Sequence, residues 1–276
     1  VALMDGYHSP QLDVSVRLNT NESPDAPPEE WVREVGDALG SVAWNRYPDR
    51  SAMDLRAAIG ALHGVGPEQI FVANGSNEVL QTILLTFGGP GRTAAVWEPT
   101  YALHGHIARI TGTTLVEGER ASDFSVDLDE VRRVIDLAAP QISFLLVVDE
   151  AYGQFSPWSA EGLVSDDVPL VVTRTFSKTW SMAASRLGYL IGPAWIVDEL
   201  HKVVLPYHLD AFKQLAGTLA VTHVAEMDER VARLVAERGR LVSRLSDLDV
   251  DVWPSGANFV LFRPRGVSGR VVWQLS

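Results

Sequence analysis

Short apolar runs alternate with segments of helical spacing along most of the chain. Residues 70–73 and 93–97 are two such runs, and each precedes a segment whose apolar residues recur at intervals of three and four. The same alternation continues and predicts further strands at 113–117, 142–148, 170–173 and 187–191. Continuous apolar strands separated by helices predict a mainly parallel sheet with helices on both faces, an α/β fold.

The predicted helices have recognisable ends. One begins after Pro27 and Pro28 and carries apolar residues at helical spacing, and the next begins at Ser51 with a capping-box pattern and stops at Gly64. Further helices are predicted up to about residue 87, after Tyr101, and over 127–138.

The pattern changes after Pro206. Two long helical segments run from about residue 211 to 245, and strands at 250–253 and 258–262 follow. We therefore predict three regions, listed in chain order: an N-terminal arm over 1–44 that joins a small lobe, a large domain over 45–210, and a small α+β domain over 211–276 that looks truncated.

Composition narrows the class of protein. The 276 residues include no cysteine, which excludes disulfide scaffolds, thiol catalysis and cysteine-based metal sites. The net charge of −12 disfavours binding to nucleic acid. The apolar run at 142–148 is far shorter than the ~20 residues of a membrane helix, and no signal peptide is visible. His104 and His106 lie two apart in a helical pattern, so we expect no metal site there. The expectation is a soluble, cytoplasmic protein.

Candidate chemistry lies where the predicted strands end, which is where open α/β sheets bind ligands. Asn74-Gly-Ser-Asn77 precedes a helix, whose first amides favour an anion. Asp149-Glu-Ala-Tyr152 follows the 142–148 strand, and Asp149 and Tyr152 can serve one site only if that strand ends near Glu150. A simple capping turn explains either segment equally well.

A lysine follows the strand at 170–173. Lys178 is one of three lysines, lies in a polar loop rich in hydroxyl groups, and precedes Arg186 by eight residues. Burial and a nearby positive charge would keep its amine partly neutral, as a nucleophile or base requires. Lys202 and Lys213 lie in helical patterns where lysine normally faces solvent.

Several short motifs occur in one order along the chain, and together they resemble the histidinol-phosphate aminotransferase family, within the fold type I enzymes that depend on pyridoxal 5'-phosphate (PLP). The motifs are Tyr47-Pro-Asp, Asn74-Gly-Ser-Asn-Glu78, Pro99-Thr-Tyr101, Asp149-Glu-Ala-Tyr152, Arg174-Thr-Phe-Ser-Lys178, Arg186-Leu-Gly-Tyr189 and Ser255-Gly-Ala-Asn-Phe259. The resemblance runs from about residue 19 to 262. It implies a mainly parallel sheet covered on both faces and a smaller α+β C-terminal lobe.

The resemblance also implies a role for each matching residue. Lys178 resembles the lysine that forms a Schiff base with PLP, and Asp149 the partner of the pyridine nitrogen. Tyr152 looks like the donor to the phenolic oxygen of the ring, and Tyr101 like the aromatic that stacks on it. The residues that resemble the phosphate-binding cup are Gly75, Ser76, Asn77, Ser177, Arg186 and, less closely, Thr175. Tyr47 is similar to a residue that reaches the cofactor of the neighbouring subunit, which implies a homodimer.

The function implied is ping-pong transfer of an amino group, from histidinol phosphate to 2-oxoglutarate in histidine biosynthesis. Three alternatives stay open. The chain could be a lyase like the threonine-phosphate decarboxylases, which share these motifs, or another class I aminotransferase, such as one for aromatic substrates. The third is a PLP-binding regulator or degenerate partner without catalysis.

Two parts of the family pattern are missing. The family carries an Asn-Asn-Pro-Thr-Gly-like loop, whose second Asn binds the ring oxygen, on a strand before Asp-Glu-Ala-Tyr. Here the chain passes from the helix that ends at 138 to Asp149 within one strand length. Either a strand and a helix are deleted or the printed sequence omits a disordered segment, and we expect the omission. The family's substrate-binding arginines would lie beyond residue 276.

Overall fold

The structure, a computed structural model, describes Asp13 and residues 19–138 and 144–275. The helices are α1 Glu29–Leu39, α2 Met53–His63, α3 Ser76–Phe87, α4 Ala102–Ile110, α5 Leu128–Ala138, α6 Ala194–Val203, α7 Ala211–Val221, α8 Val224–Ser246 and α9 Gly269–Leu275. The strands are β1 Ile70–Ala73, β2 Thr93–Glu98, β3 Thr114–Glu119, β4 Leu146–Asp149, β5 Leu170–Thr175, β6 Gly188–Ile191, β7 Val250–Val252 and β8 Phe262–Pro264.

The main sheet has four strands in the order β1-β6-β5-β4. β4 and β5 are parallel, whereas β6 is antiparallel to both β1 and β5. The expected α/β architecture is confirmed, but the sheet is mixed because β6 runs against its neighbours. An apolar run such as 188–191 is compatible with either direction, so the sequence pattern could not reveal this reversal.

A gap interrupts the sheet beside β4. β2 and β3 form a separate parallel pair, and no described strand lies on the outer side of β4. Only residues 139–145 separate α5 from β4, which is too short for a further strand and helix. The full sequence passes through this point without a further segment, so the expectation of an omitted segment is wrong, and relative to the family pattern the chain carries a deletion here.

Helices cover both faces of the main sheet, as predicted. Alternate residues of β1 and β6 belong to two separate apolar clusters, as the twofold periodicity of strands requires. Ile70, Val72 and Tyr189 pack with side chains of α1, α2 and α7. Phe71 and Leu190 pack on the other face against α3 and α6. Both clusters adjoin the strand ends that carry the candidate chemistry.

Several element boundaries differ from the predictions. The α2 cap comes from Asp49, whose carboxylate accepts from the amides of Ser51 and Met53, rather than from Ser51 itself. Gly64 ends α2 in the left-handed conformation (φ +68°), as predicted. The strand expected at 142–148 is observed at Leu146–Asp149, with 142–143 outside the described residues.

The strand expected at 258–262 is wrong, because β8 covers Phe262–Pro264. The Ser255 hydroxyl donates to the carbonyl of Phe259 (2.5 Å) and accepts from the amide of Ala257 (3.2 Å). These bonds hold 255–259 as a turn. In the described part of the chain, no helix is long and apolar enough to cross a membrane.

Candidate active site

The first feature of the site is an anion-binding cup between β1 and α3. Gly75 has φ +84°, a conformation that favours glycine, and it directs the chain into the first amides of α3. A Cβ atom at this position would lie 2.9 Å from Nη2 of Arg186. Arg186 Nη1 also donates to the Ser177 hydroxyl at 3.3 Å. The guanidinium, a hydroxyl and a helix N-terminus therefore converge, a combination suited to a phosphate group.

A second glycine holds the cup together. A Cβ atom on Gly188 would lie 2.4 Å from the amide nitrogen of Ser76 and 2.5 Å from the carbonyl carbon of Gly75. Such distances leave no space for a side chain, so the first residue of β6 packs directly against the backbone where α3 begins. The position of the cup is thus fixed by the sheet.

Two residues expected in the cup, Thr175 and Asn77, are hydrogen-bonded to other residues of the site. Thr175 is buried within β5, where its hydroxyl accepts from the amide of Ser177 (3.1 Å) and contacts the carbonyl of Leu187 (3.4 Å). It therefore braces Ser177. The side-chain oxygen of Asn77 accepts from the Tyr101 hydroxyl at 3.4 Å, which links α3 to the start of α4.

Lys178 lies at the centre of the site. Its Nζ atom donates to the backbone carbonyls of Thr20 (2.8 Å) and Asn21 (3.0 Å). The same atom lies 5.6 Å from the centre of the Tyr152 ring. Burial lowers the pKa of the Lys178 amine below its usual value of 10.5; Glu22 opposes this shift and Arg186 adds to it. This is the environment expected for a lysine that reacts as an amine.

Asp149 occupies the end of β4. The strand stops at this residue, which meets the condition for Asp149 and Tyr152 to serve one site. One carboxylate oxygen accepts from the Thr173 hydroxyl (3.2 Å) and from the amide of Ala151 (3.1 Å). The other lies 2.9 Å from Nε2 of His104.

Sequence reasoning missed this contact of His104 with Asp149. No group of three or more candidate metal ligands occurs among the described residues. The sequence feature that could have revealed this contact is spacing. His104 follows Tyr101 by three residues at the start of α4, so both side chains lie on one face of the helix. The two rings meet edge to face, with centres 5.5 Å apart.

Tyr47 lies apart from this cluster within the single chain. Its side chain is 79% exposed and stacks on Tyr207, with ring centres 4.5 Å apart. The structure therefore does not bring Tyr47 to Lys178 of its own chain. Its expected contact with a neighbouring subunit stays a prediction.

The N-terminal segment and the 255–259 turn complete the site. Asn21 adopts a left-handed conformation (φ +50°), and its side-chain Nδ2 donates to the Tyr152 hydroxyl at 3.4 Å. The Asn258 side chain lies 3.5 Å from the carbonyl of Asn21. Sequence reasoning gave neither segment a function, because the contact between them spans 237 residues.

The residues present fit PLP. A guanidinium and helix amides can take its phosphate, Asp149 its ring nitrogen and Tyr152 its phenolic oxygen, while Lys178 supplies the amine. Two side-chain oxygens in this region, Thr20 Oγ1 and Asn258 Oδ1, are shielded from solvent without a described hydrogen-bond partner. Buried polar atoms are normally paired, so a bound polar ligand could supply the partners that these two oxygens lack.

Comparisons with known proteins agree with this geometry. A family described as "Aminotransferase class I and II" matches residues 14–143 and 125–268. A histidinol-phosphate aminotransferase from Mycobacterium marinum is 41% identical over 292 residues, covering 93% of this chain and 76% of that protein. One from Frankia casuarinae is 40% identical over 309 residues, covering 97% and 78%.

Solved structures share the fold. The histidinol-phosphate aminotransferase from Sinorhizobium meliloti, in complex with pyridoxal-5'-phosphate, has a TM-score of 0.79 at 22% identity, covering 88% of this chain and 74% of that one. The enzyme from Clostridium acetobutylicum has a TM-score of 0.78 at 18% identity, covering 92% and 84%.

The same comparisons support the deletion before β4. The 309-residue alignment exceeds the 276 residues of the whole chain, so the Frankia relative has at least 33 residues for which this chain has no counterpart. The family match is also divided into two parts that meet at 125–143, next to the gap in the sheet. By its sequence similarity, its fold and the residues around Lys178, the chain belongs to the aminotransferase class I and II family, within the group of histidinol-phosphate aminotransferases.

Proposed function

We propose that the chain transfers an amino group from histidinol phosphate to a 2-oxo acid, with PLP attached at Lys178. The observation that carries this proposal is the position of the Lys178 amine, 5.6 Å from the centre of the Tyr152 ring and within the electrostatic influence of Arg186, which lines the cup beside Gly75. The names of relatives at 40% identity support the choice of amino donor.

Different residues of the chain would bind different parts of PLP. The α3 N-terminus, with Ser76 and Asn77, together with Ser177 and Arg186, would hold the cofactor phosphate, and Tyr101 would cover the ring. The Asp149 carboxylate would keep the ring nitrogen protonated. Bound PLP supplies an electron sink for the bonds to the substrate α-carbon, and it does so only in this protonated form.

Lys178 would also act as the base. Its amine carries a lowered pKa because it is partly buried, so it can accept a proton near neutral pH more readily than an exposed lysine. To reach a substrate carbon, Nζ must first leave the carbonyls of Thr20 and Asn21. It can then take up the proton of the substrate α-carbon and return it at C4′ of the cofactor, which is the proton movement that transamination requires.

The working unit would be a homodimer in the cytoplasm, the compartment of amino-acid biosynthesis. Tyr47 supports the dimer, because a strongly exposed tyrosine stacked on Tyr207 is available to a second subunit. In that assembly Tyr47 would contact the cofactor phosphate of the partner.

A second candidate is a PLP-binding protein without catalytic activity. The deletion beside β4 favours it, because the gap lies next to Asp149, where the ring of the cofactor would be. The presence of Lys178, Asp149 and Arg186 together argues for catalysis.

An activity assay separates these candidates. Purified protein with PLP, histidinol phosphate and 2-oxoglutarate should form glutamate with ping-pong kinetics. Product formed without 2-oxoglutarate, with release of CO₂ from an amino-acid phosphate, would identify a lyase instead. Borohydride reduction should place a pyridoxyl group on Lys178; labelling without turnover would indicate the non-catalytic binding protein.

A further inference from the structure

A cavity of about 310 Å³ opens at the outer edge of the main sheet, beside β1. We call it the edge cavity. Its walls come from the start of α2, the end of α6 and the loop after α6, and its polar lining residues are Arg50, Ser51, Arg56, His201 and His208. None of the residues assigned to the cofactor site lines it. Its volume is at the lower end of the range of small-molecule sites.

The edge of β1 fixes two of these side chains. Gly192 donates to the carbonyl of Gln69 on the β6 side, so the carbonyls of Ile70 and Val72 face outward. Nε of Arg56 donates to Ile70 (2.8 Å), and Nε2 of His208 donates to Val72 (3.0 Å). These bonds leave the terminal nitrogens of Arg56 without a described acceptor.

The cavity carries positive charge without a counter-ion. Arg56 is only 7% exposed, yet no described carboxylate lies within 4.0 Å of Arg56 or Arg50. Another buried arginine, Arg174, is paired with both Glu150 (2.9 Å) and Glu161 (2.8 Å). Buried arginines are rarely left unpaired. An unpaired one is unexpected in a chain of net charge −12.

Nearby carboxylates do not neutralise the arginines. Asp49, Glu68 and Asp198 act on Arg56 from a distance, while burial lowers the Arg56 pKa overall. The Asp49 carboxylate is already bound by the amides of Ser51 and Met53.

The His201 side chain is also influenced by the charges of the two arginines. Its Nε2 atom is shielded from solvent and has no described hydrogen-bond partner, while its ring meets the edge of Phe71. Burial, and then the charges of Arg56, His208 and Arg50, lower the pKa of His201 to about 4, while Asp198 opposes the shift.

We propose that the edge cavity binds a small oxyanion, the phosphate or carboxylate group of a small molecule. Arg50 and Arg56 would supply the charge, and the His201 ring in the cavity wall would sense the bound ion. This site is separate from the proposed cofactor site and goes beyond the proposed function. Phosphate and carboxylate groups also occur on the proposed substrates, so the test compares inorganic phosphate, histidinol phosphate and 2-oxoglutarate as ligands.

The test follows the imidazole signals of His201 by NMR in the PLP-loaded protein, with the signals assigned from His201→Gln. Loading with PLP fills the cup at Arg186, so added phosphate is free to report on the edge cavity. We expect a saturable shift with a Kd of about 1 mM or below, since one or two charge-assisted contacts provide ~4 kcal/mol. We also expect the His201 pKa to rise on binding, because an anion offsets the arginine charges.

Arg50→Gln is the decisive variant. The Arg50 side chain is exposed and has no described hydrogen bond, so its loss should not disturb folding, whereas Arg56 also caps β1. We expect phosphate affinity to fall about tenfold or more, which corresponds to ~1.4 kcal/mol. Arg92→Gln, an exposed arginine outside the cavity, should leave affinity unchanged. The proposal fails if His201 does not respond to phosphate, or if both variants weaken binding equally.

Discussion

The two sides of the site differ in how completely they are built. Every residue of β1, β5 and β6 is buried, and these strands carry the cup and lead to Lys178. No residue of β4 or β2 is buried to that degree, although β4 carries Asp149. The phosphate side, built on β1, β5 and β6, rests on a closed apolar core, and we call it the closed side. The ring side, built on β4 with Asp149, rests on a strand whose outer edge has no described partner strand, and we call it the open side.

The open side relies on polar contacts where the closed side relies on packing. Asp149 is held by Thr173 within the sheet and by His104 from α4, across the gap. His104 thus joins the separate β2–β3 unit to the main sheet. The following substitutions test this difference, beginning with the largest expected effect.

Lys178→Ala should abolish turnover on the closed side without unfolding the protein. Removal of the amine eliminates both the attachment of PLP and the base, so we expect kcat to fall by roughly 10³–10⁴-fold or more. The measurement is glutamate formation under saturating substrates. Lys202→Ala is the control, because Lys202 contacts only Glu199 at the surface. Turnover within tenfold of the starting protein would show that another group does this chemistry.

Asp149→Ala should give the next largest effect, on the open side. A ring cation left without its carboxylate costs about 3–5 kcal/mol, so we expect PLP affinity to fall by more than a hundredfold. Titration of the protein with PLP, followed by absorbance, measures this change. Asp167→Ala removes an exposed carboxylate and should have no effect. Equal affinities in the two variants would mean that Asp149 does not face the ring.

A pair of leucine substitutions compares the two sides directly. Leu190→Ala in β6 should lower the free energy of unfolding by about 2–5 kcal/mol, because Leu190 is fully buried. Leu146→Ala in β4 should cost less than about 1 kcal/mol, because its side chain is 46% exposed. Urea unfolding measures both. Similar losses would contradict the open edge and imply that β4 is covered in solution.

His104→Gln tests the contact that holds Asp149 on the open side. Loss of one hydrogen bond to a carboxylate is worth about 1.5–3 kcal/mol, so PLP affinity should weaken less than in Asp149→Ala. The pH dependence of the absorbance of bound PLP should change as well. His106→Gln, two residues along α4, serves as the matched control. An unchanged pH profile in His104→Gln would remove His104 from the site.

The closed side was the more predictable from sequence. Gly64, β1 and the start of α3 are set by local patterns. The structure brings Gly75, Ser177 and Arg186 together, and their role in binding phosphate stays a prediction. The direction of β6 was not predictable, because an apolar run carries no information about its neighbours. His104 was missed as well, because its contact with Asp149 depends on how α4 lies against the sheet.

The open side shows how a strong local pattern can mislead. The apolar run at 142–148 predicts a buried strand, yet Phe144 and Leu146 are largely exposed. A strand such as β4 is fully buried only when a further strand pairs with its outer edge. The deletion has removed the sequence that would provide this strand. At 258–262 the bonds of Ser255 override the strand pattern and turn Asn258 toward Asn21.

The contact at Gly188 determines how much variation the phosphate side can tolerate. Because backbone touches backbone there, even an added methyl group would lift the first turn of α3 away from β6. The anion would then lose several donors at once, although no residue that binds it had changed. In a library of random substitutions, variants at this position that still fold would release their vitamin B6 derivative on dialysis.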